Sequence, residues 1–133
     1  MKYLLDTNTC IGVLTNRVPM LVDRWKRTNP SQIRLCSVVK AELLYGAEKS
    51  SKRELVQQKL QLFFSPFRSM PFDDAAAHSY GVIRAAPEAK GHSIGPNDTI
   101  IAAIALANGL TVVTHNTREF TRVPGLAVED WET

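Results

Sequence analysis

Short apolar runs of strand type alternate with helix-period segments along this 133-residue chain. Tyr3-Leu4-Leu5 stops at Asp6-Thr7-Asn8, residues that favour turns and helix N-caps. Cys10, Ile11, Val13 and Leu14 then fall at helical spacing, and Pro19 opens a second helix over Met20, Leu21, Val22 and Trp25. Ile33–Cys36 reads as a strand, with Ser37 as the N-cap of a helix running to Lys49. Leu55, Leu60, Leu62 and Phe63 mark a fourth helix that ends before Pro66. Ser69–Phe72 predicts a third strand, Asp73 caps a helix that Pro87 ends or kinks, and Gly91–Gly95 reads as a loop. Pro96 opens a compact helix through Leu106 that Asn108-Gly109 stops. Leu110–Thr114 is a β-branched strand, and Leu126–Val128 a last edge strand. Such alternation predicts an α/β fold, a mainly parallel central sheet flanked by helices on both faces. Ligands of such sheets bind beyond the carboxyl ends of the strands.

Composition narrows the class. With 44% hydrophobic and 22% charged residues the chain is neither disordered nor membrane-embedded, and its length fits one domain spanning residues 1–133. Apolar runs such as Ile100–Ala107 fall short of the roughly 20 residues a membrane span needs. Met1-Lys2-Tyr3 leads directly into a strand, so no secretory leader is expected. Cys10 and Cys36 have no metal-type spacing and read as small buried hydrophobes in a reducing compartment. A cytoplasmic location is the expectation. Sixteen Lys and Arg against 13 Asp and Glu give a net charge of +3, which permits a nucleic-acid partner without requiring one.

The positions of a few acids say more. Asp6 follows the first strand, Asp98 lies in the first turn of the Pro96 helix, and Glu42 sits one turn into the helix after Ser37. Asn116 and Glu119 follow the strand that ends at Thr114. Each has an ordinary explanation alone: an N-cap, a dipole partner, a rim residue, a solvated acid. Strand ends and helix starts, however, share one edge of a parallel α/β sheet, so the fold gathers three or four acids into one cleft. Clustered carboxylates raise one another's pKa unless a cation neutralises them. Oxygen ligands without His or Cys select a hard ion, Mg²⁺ or Mn²⁺. Acid clusters holding such ions are a common device for phosphodiester hydrolysis.

These residues also carry a family resemblance. Leu4-Leu5-Asp6-Thr7-Asn8, Ala41-Glu42-Leu43 with Tyr45-Gly46-Ala47-Glu48, Ile94-Gly95-Pro96-Asn97-Asp98 and Asn116-Thr117-Arg118-Glu119-Phe120 occur in order across the chain. The set resembles the PIN-domain ribonucleases of the VapC toxin type. The resemblance implies a doubly wound sheet, Mg²⁺-dependent endonucleolytic cleavage of RNA, a VapB-type antitoxin and a homodimer. It implies that Asp6, Glu42 and Asp98 bind the metal, that Glu119 is the fourth acid, and that Asn116 is a polar orienter. Many relatives carry an aspartate where Asn116 stands, and His115 departs from the asparagine expected there. Thr7, Asn8 and Thr114 are close enough in sequence to orient ligands or touch phosphate.

Among basic residues that can guide an RNA backbone, Lys40, Lys49, Lys52, Arg53, Arg84, Arg118 and Arg122, Arg118 stands beside the acids. Trp25 and Trp131 read as packing residues, His78, His92 and His115 as solvated or structural. The apolar first two helices suggest part of a groove for an antitoxin peptide. Three rival readings remain. A receiver-type signalling domain would need paired acids after the first strand and a lysine after a late one, and Asp6 is followed by Thr7-Asn8. A PIN-fold binding module without activity has no need of Asp6, Glu42 and Asp98. A DNA nuclease would use the same acids.

Overall fold

Five strands form one parallel sheet in the computed structural model, which describes residues 1–86 and 94–133. The chain runs β1 (Tyr3–Leu5), α1 (Thr7–Leu14), α2 (Pro19–Arg27), a 3-10 turn at Pro30–Gln32, β2 (Ile33–Cys36), α3 (Ser37–Lys49) and α4 (Arg53–Phe64). It continues through β3 (Arg68–Met70), α5 (Asp74–Ala85), α6 (Pro96–Asn108), β4 (Thr111–Val113), α7 (Thr117–Phe120) and β5 (Val128–Glu129). The strand order is β3-β2-β1-β4-β5 with every neighbour parallel, so Leu4 lies between Arg34 and Val112.

The middle strands are largely apolar because the sheet is covered on both faces, with the exception of Arg34 in β2, whose guanidinium donates to the Ser31 carbonyl. Leu4, Leu5, Ile33, Leu35, Val112 and Val113 are all buried. Over them lies α6, whose buried Ala102, Ala103 and Ala105 let it pack closely along α5. On the α2–α4 side Trp25 stacks on Phe63 at 6.2 Å, and Phe67 meets Phe63 edge-on at 5.7 Å. Trp131 is buried against Tyr3. Both tryptophans therefore pack. Asp73 caps α5 by accepting from the Ala76 N–H, and Gly109 ends α6 in the left-handed region at φ 63, where a side chain would be strained.

Several boundaries differ from the sequence reading, each for a tertiary reason. The strand Ile33–Cys36 has the expected bounds, but Ser37 is the first residue of α3 and Cys36, still paired with Met70, holds the cap position. β5 begins at Val128, set by its pairing with Val112 and Val113. Leu55 and Leu62 stay at the surface, since α4 buries the face carrying Leu60, Phe63 and Phe64. Pro87 and residues 91–93 of the expected loop lie outside the described residues, and α5 ends at Ala85. Among the described residues no helix is long and apolar enough to cross a membrane.

Candidate active site

The chain steps from β1 outward through β2 to β3, then returns to the other side of β1 as β4 and β5. The strand order thus reverses between β1 and β4, and a crevice opens beyond their carboxyl ends. Asp6 stands at that point, 4% exposed, with its N–H on the Val113 carbonyl at 3.1 Å. Its Oδ1 accepts the Thr9 N–H at 2.9 Å, so it caps α1, and its Oδ2 accepts the Thr114 hydroxyl at 2.6 Å. Thr114 Oγ1 in turn accepts the Asn116 N–H at 2.9 Å. The N-cap and the candidate ligand are one residue, and capping is what aims the carboxylate.

The other acids arrive from helices. Glu42, on α3, accepts the Thr7 hydroxyl at Oε1 over 2.8 Å. Asp98 lies in the first turn of α6, and its carboxyl is pushed up to about 7. Burial is the largest cause, followed by the charge of Asp6, a shared hydrogen bond with Glu119, and the charges of Glu119 and Glu42. Glu119, on α7, is held at Oε2 by the Asn116 side-chain amide at 2.8 Å. The other three acids expected from sequence, Asp6, Glu42 and Glu119, therefore all act on the Asp98 carboxyl. A cleft of about 250 Å³ is lined by Asp6, Thr7, Asn8, Glu42, Asp98 and Asn116, together with the backbone-rich entry to α6 at Gly95, Pro96 and Asn97. Glu119 joins this group through Asp98.

Other expected residues fall away from the cleft. Arg118 is exposed on α7 and lies outside the lining. Lys40 lies over the Phe64 ring, Lys49 over Tyr45 and Arg84 over Tyr80, while Arg53 pairs with Glu48. His115 turns to Asp130, Nδ1 to Oδ2 at 2.9 Å, and that hydrogen bond first, then the charge of Glu132, raises the imidazole pKa. His115, Asp130 and Glu132 form the trio among the described residues whose possible ligand atoms all lie within 4.8 Å of one another, and it is separate from the four acids. Sequence reasoning missed Thr9 and the Gly95–Asn97 rim. The signal for Thr9 was its place three residues after the capping Asp6.

By its chemistry the donor set suits a hard divalent cation. It is all oxygen, from carboxylates of which Asp98 resists ionisation in the absence of a compensating positive charge. Burial pushes the Cys10 thiol well up, and the charge of Asp6 adds to it, so no thiolate competes from beneath the site.

Comparison with known proteins gives concordant findings. The family described as PIN domain matches residues 3–126. The chain is similar to a tRNA(fMet)-specific endonuclease VapC of Salmonella typhimurium, at 41% identity over 98% of each chain. It is also similar to Ribonuclease VapC2 of Rickettsia felis, at 38% identity over 99% of each. Among solved structures it superposes on the DNA-bound VapBC of Salmonella typhimurium with a TM-score of 0.90, at 41% identity over 98% of both chains.

Proposed function

The chain belongs to the PIN-domain family, and from that membership we propose that it is the ribonuclease toxin of a toxin–antitoxin pair, cutting RNA with a divalent metal ion held by Asp6, Glu42 and Asp98. The observation that carries this reading is the convergence of Asp6, Glu42 and Glu119 on Asp98, whose carboxyl burial and then these acids push up to about 7. Above about pH 7 such an arrangement costs stability unless positive charge enters it, and all-oxygen donors suit Mg²⁺, with Mn²⁺ as a substitute. The ion supplies activation of a water and charge neutralisation at the phosphate.

The chain's own residues do the positioning. Thr114 and the α1 cap hold Asp6, Thr7 holds Glu42, and Asn116 holds Glu119 as the fourth acid beside Asp98. Asn8, exposed at the cleft, offers an amide to a substrate phosphate, and Arg118 offers a backbone contact from α7. The name of the Salmonella relative makes a tRNA the first substrate to try. The VapBC structures make a VapB-type antitoxin the expected partner, and we propose a homodimer as the toxin unit. Exposed apolar side chains such as Tyr45 and Leu62 leave surface for such partners to cover.

The test is cleavage of tRNA by purified protein freed of any partner. Wild type with Mg²⁺ should cut at discrete sites, and EDTA or Asp98→Ala should stop it. Equal cleavage by the Asp98→Ala protein would refute the assignment.

A further inference from the structure

We propose that Thr9 is a positioning residue for this site: its buried hydroxyl pins the start of α1 to the end of β4 and so sets the Asp6 carboxylate. This rests on Asp6 being a metal ligand. Thr9 is 2% exposed and lies in the first turn of α1. Its N–H donates to Asp6 Oδ1 at 2.9 Å, while its Oγ1 donates to the Val113 carbonyl at 3.1 Å, 104 residues away in sequence.

Four other helical or cap threonines show what this side chain ordinarily does here. Thr15, Thr28, Thr99 and Thr121 all turn their hydroxyls back onto the carbonyl four residues earlier, at 2.6–3.0 Å. Thr9, third in α1 with strand residue Leu5 four positions back, reaches out of its helix to a strand, as Thr7 reaches out to Glu42. Its acceptor already has a donor, because the Asp6 N–H occupies the same Val113 carbonyl at 3.1 Å. The hydroxyl is therefore not needed to satisfy the backbone. What it adds is a second fixed point. The first turn of α1 is tied to β4 at Asp6 and again at Thr9, so it cannot pivot about Asp6 alone. Because the Thr9 N–H sets Oδ1 and Thr114, just past β4, sets Oδ2, the tie fixes both carboxylate oxygens against each other. Loss of such a partner typically weakens metal binding by about 10-fold or more.

The experiment is a Mg²⁺ titration of RNA cleavage by wild type, Thr9→Val, Thr9→Ser and Asp6→Asn, with thermal melts alongside. Valine keeps the shape and removes the hydroxyl. The expected result is a half-saturating Mg²⁺ raised about 10-fold for Thr9→Val, with KM for RNA at saturating metal unchanged, and a wild-type value for Thr9→Ser. Wild-type metal dependence in Thr9→Val overturns the proposal. So does a Thr9→Ser protein as impaired as Thr9→Val, which would assign the effect to the methyl group. Should valine prove unfolded, Thr9→Ala against Thr9→Ser makes the same comparison of hydroxyl present and absent. Asp6→Asn separates the two levels: an active Asp6→Asn protein fails the reading of the site itself. An inactive one beside an unchanged Thr9→Val protein fails the role of Thr9 alone.

Discussion

Asp6, at the end of β1, has hydrogen-bond donors on both carboxylate oxygens, whereas Asp98, in the first turn of α6, has acids for neighbours. The strand-end half of the cleft is complete without an ion. Its carboxylate is aimed by Thr9 and Thr114 and locked to the sheet through Val113. The helix-end half holds a carboxyl that stays protonated to about pH 7 until a cation compensates its neighbours. In the proposed reading one half supplies fixed geometry, and the other a charge imbalance that a bound cation would offset. A site made wholly of the first kind would bind weakly, and one made wholly of the second would hold its ligands loosely.

The largest test of that contrast is to remove each acid in turn. Asp6→Ala and Asp98→Ala should both reduce RNA cleavage by at least about 100-fold, a scale typical of lost transition-state charge stabilisation. Their stabilities should diverge. Asp6→Ala strands the Thr9 N–H and costs a helix cap, roughly 1 kcal/mol. Asp98→Ala relieves repulsion and should melt no lower than wild type in EDTA at pH 8. Equal destabilisation by the two would erase the distinction.

A middle-sized effect is the pH dependence of the metal-free protein. The folded-state pKa of Asp98 is raised, so the folded chain holds a proton that the unfolded chain releases near its ordinary value of 3.8. The associated stability is present below that value and is lost as pH rises through about 7. Melting in EDTA should therefore fall between pH 5 and pH 8 in wild type and change less in Asp98→Asn. Added Mg²⁺ should raise the pH 8 melt of wild type more than that of Asp98→Asn. Cleavage at limiting Mg²⁺ should weaken below about pH 7, because the proton competes with the ion. The smallest effect belongs to Arg118, outside the lining: Arg118→Ala should lower the salt slope of RNA binding by about one and leave Mg²⁺ dependence unchanged.

Most elements were legible because their signals are local. Pro19 and Pro96 start helices, Asp73 caps one, Gly109 stops one, and the apolar β1, β2 and β4 declare a covered parallel sheet. The boundaries that slipped are those where a neighbour decides. Ser37 is a helix residue where a cap was expected because Cys36, paired with Met70 in β2, takes the cap position, and Val128–Glu129 is a strand because Val112–Val113 is its partner. Leu55 and Leu62 read as core by type and are surface by orientation, since helix rotation is set by what it packs against. In the site, the identity of the acids was legible and their holders only partly so. Thr7 and Thr114 are adjacent in sequence to motif residues, but the bonds Thr7–Glu42 and Thr114–Asp6 join positions 35 and 108 residues apart.

The sequence by itself determined which residue types meet at the carboxyl edge, because a residue just after a parallel strand or at the start of the following helix has nowhere else to be. It likewise determined that the side chains gathered there are carboxylates, whose mutual repulsion a cation would offset. The tertiary structure decided how each acid is held. It turned His115 away to Asp130 and sent the Thr9 hydroxyl out of its helix to Val113. Those are contacts between strand and helix ends whose directions depend on side-chain rotation and on the packing of the whole sheet, and no spacing along the chain encodes them.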